Sequence, residues 1–552
     1  MGLLTEFPAV WYVALACVLG VAIWGVCARC VYPSPLMAAS TGGLVVILYS
    51  SASLLAEVPR LPWTYKHIAV TDFIVANGRV DPSIDIYNRW PGFFSGSAFL
   101  GEMTGYHNAL AYAASAETAF ALVNLVLMLA IVRALSDNSR VQWTATLVFV
   151  LSNWVNQNYY SPQAFAFTLY LTVCLACFTY LRGTPVTWVA WVEEKLRLLS
   201  RGSAPEAHHS PQQPAGPRVI TVILAVYAVL VVSHQLSPYL AMLGLVPLFV
   251  FGYFRPRLLS LAFVVITLLY LIPNFEFIEE KYGIFSGIDV VSNSSNTPEV
   301  QPATDRARLV AYAAPVLSLI TGGLAAAGYV KHMLRGQVRI TLMVAWLSFA
   351  PLLGLLGQSY GGEARFRVYL FALPWLAIGV AWLFWSGPRS RRAMVGAAAS
   401  LTAMAALFTA AYFYMEATYR VIKEDVVAGQ WLDARVREED LVFETNFFFP
   451  LLIGPNYPGY LEWGKNTPLA EIIFDSPDVW AKDVEALADT VRDTDTIYVV
   501  FSDTQKRHAV NQYGPKDAQR LFGLERELAT AQNAENVFDN GAVRIYRISA
   551  SP

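Results

Sequence analysis

Apolar runs of roughly bilayer length, separated by short polar breaks, fill the first three quarters of the chain. A hydrocarbon core of ~30 Å needs about 20 residues of helix. Runs of that kind lie near 9–28, 36–56, 110–134, 141–156, 163–181, 219–236, 238–253, 258–273, 307–329, 340–357, 368–386 and 394–415, predicting about twelve crossings. The first run lacks the basic leader and small-residue cleavage site of a signal peptide, so it reads as a retained span. At Asn153–Pro162 the break is polar, and its proline favours a helix end there.

After residue 416 the pattern changes. Strand-like runs occur at 441–445, 496–501 and 542–548, and helix-like stretches near 477–492 and 516–531, an α/β pattern. Two aromatic, turn-rich loops, Asn446–Pro450 and Gly454–Tyr460, suit packing against the membrane body or the wall of an acceptor site. The expected fold is therefore a polytopic α-helical membrane module over 1–415, with a C-terminal extracytoplasmic α/β domain over 416–552.

Charge sharpens the division. The last 137 residues carry 23 acidic and 14 basic side chains, whereas the first 415 carry 18 and 25. A soluble chain has about a quarter of its residues charged, and only the C-terminal part reaches that level. This argues against a soluble enzyme, a disordered chain and a nucleic-acid binder. The five cysteines, Cys17, Cys27, Cys30, Cys174 and Cys177, all lie in or beside apolar runs and give the C-terminal part no disulfide framework.

Lys and Arg set the orientation. Arg133, Arg140, Arg182, Lys195, Arg197, Arg201, Arg218, Arg255, Arg257, Lys331, Arg335, Arg339, Arg389, Arg391 and Arg392 fall in alternate loops, which twelve spans place on one side, the cytoplasmic one. The opposite side then holds residues 57–109, 274–306, the Gln358–Arg367 turn and the C-terminal domain, with the chain in the cell membrane. The cytoplasmic loop 182–218 is expected to be disordered, its Ser/Pro/Gln-rich stretch 203–217 being unable to bury a core.

Candidate chemistry gathers on the outer side. The 57–109 loop carries Lys66, His67, Asp72, Arg79, Asp81, Asp85 and Arg89 among Trp63, Tyr65, Tyr87 and Trp90. Tyr65–Ala76 reads as a helix that Gly78 ends. Carboxylates beside cations and aromatics suit deprotonation of a sugar hydroxyl and grip on a phosphate; a solvated loop anchored at the headgroups has the same composition. His234 and Gln235 interrupt an apolar pair at the outer boundary, where a histidine needs partners or a polar cavity. Glu363, Arg365 and Arg367 lie in an outer turn, and the arginines there run against the positive-inside bias. A phosphate would account for them, as would pairing with Glu363 or with the acidic domain.

Tyr65–Ile68, Asp85–Phe94, Tyr160–Ala164, Ser233–Pro238 and Gly361–Tyr369, with the closing Val543–Arg547, resemble the GT-C superfamily of polytopic glycosyltransferases. The similarity is to members of the protein-mannosyltransferase and arabinosyltransferase type. Two departures stand out. Two spans precede the first outer loop where one is usual, and the acidic pair at its start is reduced to Glu57.

The resemblance implies a polyprenyl-phosphate sugar donor and a glycan, lipid or protein acceptor. Lys66, Arg365, Arg367 and His234 would neutralise the phosphate leaving group, with His67, Arg89, Gln235 and Glu363 around the substrate. A carboxylate would take the proton of the incoming hydroxyl and invert the sugar carbon, with Asp72 first, Asp85 second, Glu57 third and Asp81 also a candidate. The sequence itself demands no cofactor, although Mg or Mn could bridge carboxylates and phosphate. The alternatives are a polysaccharide polymerase or ligase of similar architecture, and a secondary transporter. No internal repeat supports the transporter.

Overall fold

The computed structural model describes residues 2–28, 34–198, 200, 215–282, 310–356, 364–414, 420–437, 440–446, 448–462 and 496–548. Each of the twelve apolar runs coincides with a helix. Among the described residues nine are long and apolar enough to cross a membrane: Ala9–Cys27, Ser34–Leu55, Ala116–Leu135, Pro162–Tyr180, Leu258–Glu280, Ala313–Met333, Val338–Leu355, Ala364–Trp385 and Arg391–Phe413. Three are shorter, Ser139–Ser152, Pro217–Ser233 and Ser237–Val250, because the Asn153–Ser161 segment and the His234 turn end them early. The chain is a multi-pass membrane protein with two helices ahead of its first long loop.

Ala364–Trp385 is the most enclosed of the long helices and runs through the bundle interior. Trp375 Nε1 donates to Tyr170 Oη at 3.0 Å, and Tyr369 Oη to the Ser152 carbonyl at 2.9 Å. Basic side chains close one end of the bundle by capping helix ends. Arg140 donates to the carbonyls of Val26 and Ala28, Arg389 to Cys27 and Lys331 to Leu383. Part of the loop expected to be disordered over 182–218 is structured. Arg182 bridges Phe254, and Thr187–Leu198 is an amphipathic helix whose Glu193 meets Arg339 at 3.1 Å. Its apolar positions give it a face to bury, which the Pro/Ser-rich stretch lacks; residues 201–214 lie outside the described residues.

The opposite end carries residues 57–115 and the C-terminal region. Four strands, β1 (Leu441–Glu444), β2 (Ile497–Ser502), β3 (Ala534–Asp539) and β4 (Val543–Ile548), form one sheet in the order β1-β2-β4-β3. β1 and β2 are parallel; the other pairs are antiparallel. Side chains alternate across the sheet. Ile497, Val499 and Phe501 pack with Leu521, Leu524 and Leu528 of the Pro515–Thr530 helix. Val442, Val500 and Ile545 join a core with Tyr65, Ile68, Phe93 and Tyr160 from the membrane-side segments. The expected helix at 477–492 lies outside the described residues.

A buried ion pair fastens this end. Arg60 grips Glu117 through two donors, Nε at 3.0 Å and Nη2 at 2.8 Å, and Tyr412 Oη donates to the same carboxylate. Arg60 also reaches Asn156 Oδ1 at 2.7 Å, and its carbonyl accepts from the Val421 amide.

Candidate functional site

The Trp63–Asn77 helix organises the site. Gly78 stops it in the left-handed conformation, φ +64°, its amide closing on the Ile74 carbonyl. Lys66 projects from one face and places Nζ 2.8 Å from Asp85 Oδ2 and 3.9 Å above the Tyr457 ring. Asp85 caps the short Ile86–Arg89 helix, accepting from the Asn88 amide at 2.9 Å and from Asn88 Nδ2 at 3.1 Å. Asn88 Nδ2 also donates to Tyr457 Oη at 2.7 Å, tying the pair to the C-terminal region. Burial alone would raise Asp85, but the Lys66 ammonium and the Asn88 donors outweigh it and hold the carboxyl below its usual range.

His67, like Lys66, lies against the Tyr87 ring. Its Nδ1 donates to the Tyr160 carbonyl at 2.9 Å, and its ring stacks on Tyr159. Burial lowers it to about 4, so the ring is neutral near pH 7 with Nε2 as an acceptor. His234 has the opposite tautomer. Its Nδ1 accepts from the Ser237 amide at 3.1 Å and sits 3.0 Å from Ser237 Oγ, which leaves the proton on Nε2. His67 and Arg367 are both within electrostatic range of His234.

Arg367 is buried on the first turn of the Ala364–Trp385 helix. The expected outer turn is thus helical from Ala364, and its two arginines part company because they are two residues, about 200°, apart around the helix. Arg365 is exposed and lies by the Phe366 ring. Glu363 lies outside the described residues, and Gln235 is half-buried beside His234.

Other candidates stand apart. Glu57 is exposed and paired with Lys423 at 3.1 Å. Asp81 is half-buried, with Oδ1 held by the Ser83 amide and hydroxyl. Arg89 turns toward the Leu258–Tyr282 helix, with Nη1 3.3 Å from Asn274 Oδ1 and its guanidinium over the Phe277 ring. Asp72, six residues after Lys66, is separated from it by about 120° around the helix axis and lines a separate cavity with Asp433.

Neither a family model nor a curated protein matches the sequence. Solved structures do. The chain is similar to the oligosaccharyltransferase AglB from Archaeoglobus fulgidus, solved with an inhibitory peptide and a dolichol-phosphate, at 10% identity over 98% of this chain and 74% of that one, with a TM-score of 0.51. Its fold is of the GT-C type. Lower similarity extends to ArnT from Cupriavidus metallidurans. Bound to undecaprenyl phosphate, ArnT matches at 12% identity over 99% of both chains, TM-score 0.44. In the apo state it matches at 11% over 94% of this chain and 100% of that one, TM-score 0.47.

Several residues at the candidate site are not singled out by the sequence pattern alone. Asn88 was signalled by the Asp-x-x-Asn spacing of a capped turn. Tyr457 belongs to an aromatic loop that packs against the membrane-side segments, one of the two expectations for it. Phe449, Leu451 and Tyr457 pack in the shared core, while Ile453, Gly454 and Pro455 line the Asp72 cavity. Arg60 and Glu117 were signalled by their place at the edges of apolar runs, where an ionisable side chain needs a partner.

Among the described residues no three His, Cys, Asp or Glu side chains gather as a metal site. Asp85 already faces an ammonium group, and a divalent cation beside Lys66 would be repelled. The described residues alone therefore do not fit a bridging Mg or Mn.

Proposed function

We propose that the chain transfers a sugar from a polyprenyl-phosphate donor to an extracytoplasmic glycan, lipid or protein acceptor, with inversion at the sugar carbon. One observation carries this reading: at one end of the helical bundle Lys66 pairs with Asp85 over the Tyr457 ring, while Arg367 and His67, the neighbour of Lys66, both lie within electrostatic range of His234. The dolichol-phosphate of the AglB complex supplies the donor class, and the basic residues that cap the far end of the bundle support an extracytoplasmic placement of the site.

In this reading the donor phosphate enters from the bilayer and meets Arg367, Lys66 and the Nε2–H of His234. These groups stabilise the charge that develops as the sugar carbon–oxygen bond breaks, with its electron pair passing to phosphate. Phosphate competes for Lys66 and loosens its hold on Asp85. The freed carboxylate accepts the proton of the acceptor hydroxyl, whose oxygen forms the new bond to the sugar carbon. Asp85 takes the role ranked first for Asp72 because it is the carboxylate in contact with Lys66. His67 fixes the wall of the site as a neutral ring.

Membranes carrying radiolabelled polyprenyl-phosphate sugar test this. Asp85→Asn is expected to lower transfer on the order of 100-fold or more with donor binding retained. Arg367→Ala is expected to weaken donor binding about tenfold or more. Normal transfer by the first and unchanged donor affinity in the second would overturn the proposal.

A further inference from the structure

The gap between the Trp63–Asn77 helix and the Lys423–Asp433 helix encloses a cavity of about 140 Å³. Asp72 and Asn108 enter it from the membrane-side segment, and Gln430 and Asp433 from the C-terminal region, over an apolar floor of Ile68 and Ile453. We infer that this cavity is a subsite for one sugar unit of the acceptor, held by hydroxyl contacts to Asp72, Asn108, Gln430 and Asp433. The inference rests on the glycosyl-transfer reading and extends it to the acceptor side.

Three features support it. First, the carboxylates are only partly satisfied: Asp433 Oδ2 accepts from Asn456 Nδ2 at 3.4 Å and Asp72 accepts from the Ala109 amide. Oδ1 of Asp72 and Oδ1 of Asp433 are buried with no hydrogen-bond partner among the described residues, a costly arrangement that apolar side chains would avoid. Second, the loop backbone is shaped around Asp433. A Cβ on Gly454 would fall 2.0 Å from Asp433 Oδ2, so only a residue without a side chain leaves that carboxyl its place.

Third, the chemistry matches polyhydroxyl compounds. Burial, reinforced by the charge of Asp433, raises Asp72 to about 7, and burial raises Asp433 too. Near neutrality such a pair holds both a proton to donate and oxygens to accept, as adjacent sugar hydroxyls require. The two amides add donors and acceptors, and the isoleucines suit the C–H face of a ring. The step of six residues from Asp72 to Lys66 is a rise of about 9 Å along the helix, which a sugar chain seated in the cavity can span to bring a further hydroxyl toward Asp85.

Full-length protein in nanodiscs provides the test, with methyl mannoside, methyl glucoside and methyl arabinoside as probes in saturation-transfer NMR. At least one glycoside is expected to give a signal that falls fivefold or more in the Gln430→Ala/Asp433→Asn double variant. That variant should keep its Tm within a few degrees and its affinity for polyprenyl phosphate. Arg367→Ala should do the reverse, losing phosphate affinity while keeping the glycoside signal. Absence of any glycoside signal in the parent, survival of that signal in the double variant, or displacement of the glycoside by Ca²⁺ overturns the subsite while leaving donor chemistry untouched. A parent that binds glycoside but neither binds nor uses the lipid donor overturns the glycosyl-transfer reading instead.

Discussion

At the residue scale, neighbours decide what each charged side chain does. Asp85 and Asp72 are both carboxylates in one outer segment. Lys66 and Asn88 hold the first below its usual range, while burial raises the second to about 7. The raised value makes folding and pH interdependent. Folded Asp72 keeps its proton where the unfolded chain has lost it, so the related stability is full below about pH 4 and fades as pH rises through about 7. Asp72→Asn removes that loss. Thermal unfolding should show the variant gaining on the parent between pH 5 and pH 8, by on the order of 1 kcal/mol given the partial exposure of the group. An equal gap at both values would deny Asp72 its raised affinity for the proton. None of this was legible in the sequence, because the cavity that Asp72 lines is closed in part by Ile453 and Gly454, 381 and 382 residues further along the chain.

The element scale was more legible, and its failures have local causes. Apolar runs marked the membrane helices because bilayer thickness demands length. The strand Ala534–Asp539 went unread because it is an edge strand whose exposed face carries Glu535 and Asp539. The helix Asp503–Tyr513 went unread because it is polar, although Ser502 and Gln505 form a capping box that announces it. One close approach makes an element-scale prediction. Gly92 starts the helix that packs on the His234 turn, and a Cβ there would lie 2.5 Å from Ser233 Oγ and 3.1 Å from the Ser233 amide nitrogen. Gly92→Ala should push the two apart, costing about 1–3 kcal/mol in thermal stability and weakening donor-phosphate binding. Unchanged stability would mean that the turn yields freely.

Across the whole molecule, the helical membrane body and the C-terminal sheet region were readable from apolar length and strand-like pattern, but the way they join was not. Arg60 and Glu117 stand 57 residues apart in sequence and meet as a buried pair at the joint. Arg60→Ala would strand the Glu117 charge and should cost about 3–5 kcal/mol, whereas Arg60→Met with Glu117→Leu should recover much of that. Thermal unfolding of both variants checks this, and equal losses would point to packing instead of charge. Sidedness has its own test. With an impermeant maleimide on intact cells, Asn540→Cys should label and Thr184→Cys should not. The reverse pattern would turn the molecule over in the membrane.

The Trp63–Asn77 helix shows Lys66 to one compartment and Asp72 to another. A rigid rod gripped at two places passes on whatever displacement either grip imposes. Thermodynamic reciprocity then fixes the outcome: if occupying the phosphate side sharpens affinity on the sugar side by some factor, the sugar must sharpen phosphate affinity by that same factor. Two titrations, each run with and without the other ligand, would return a single number.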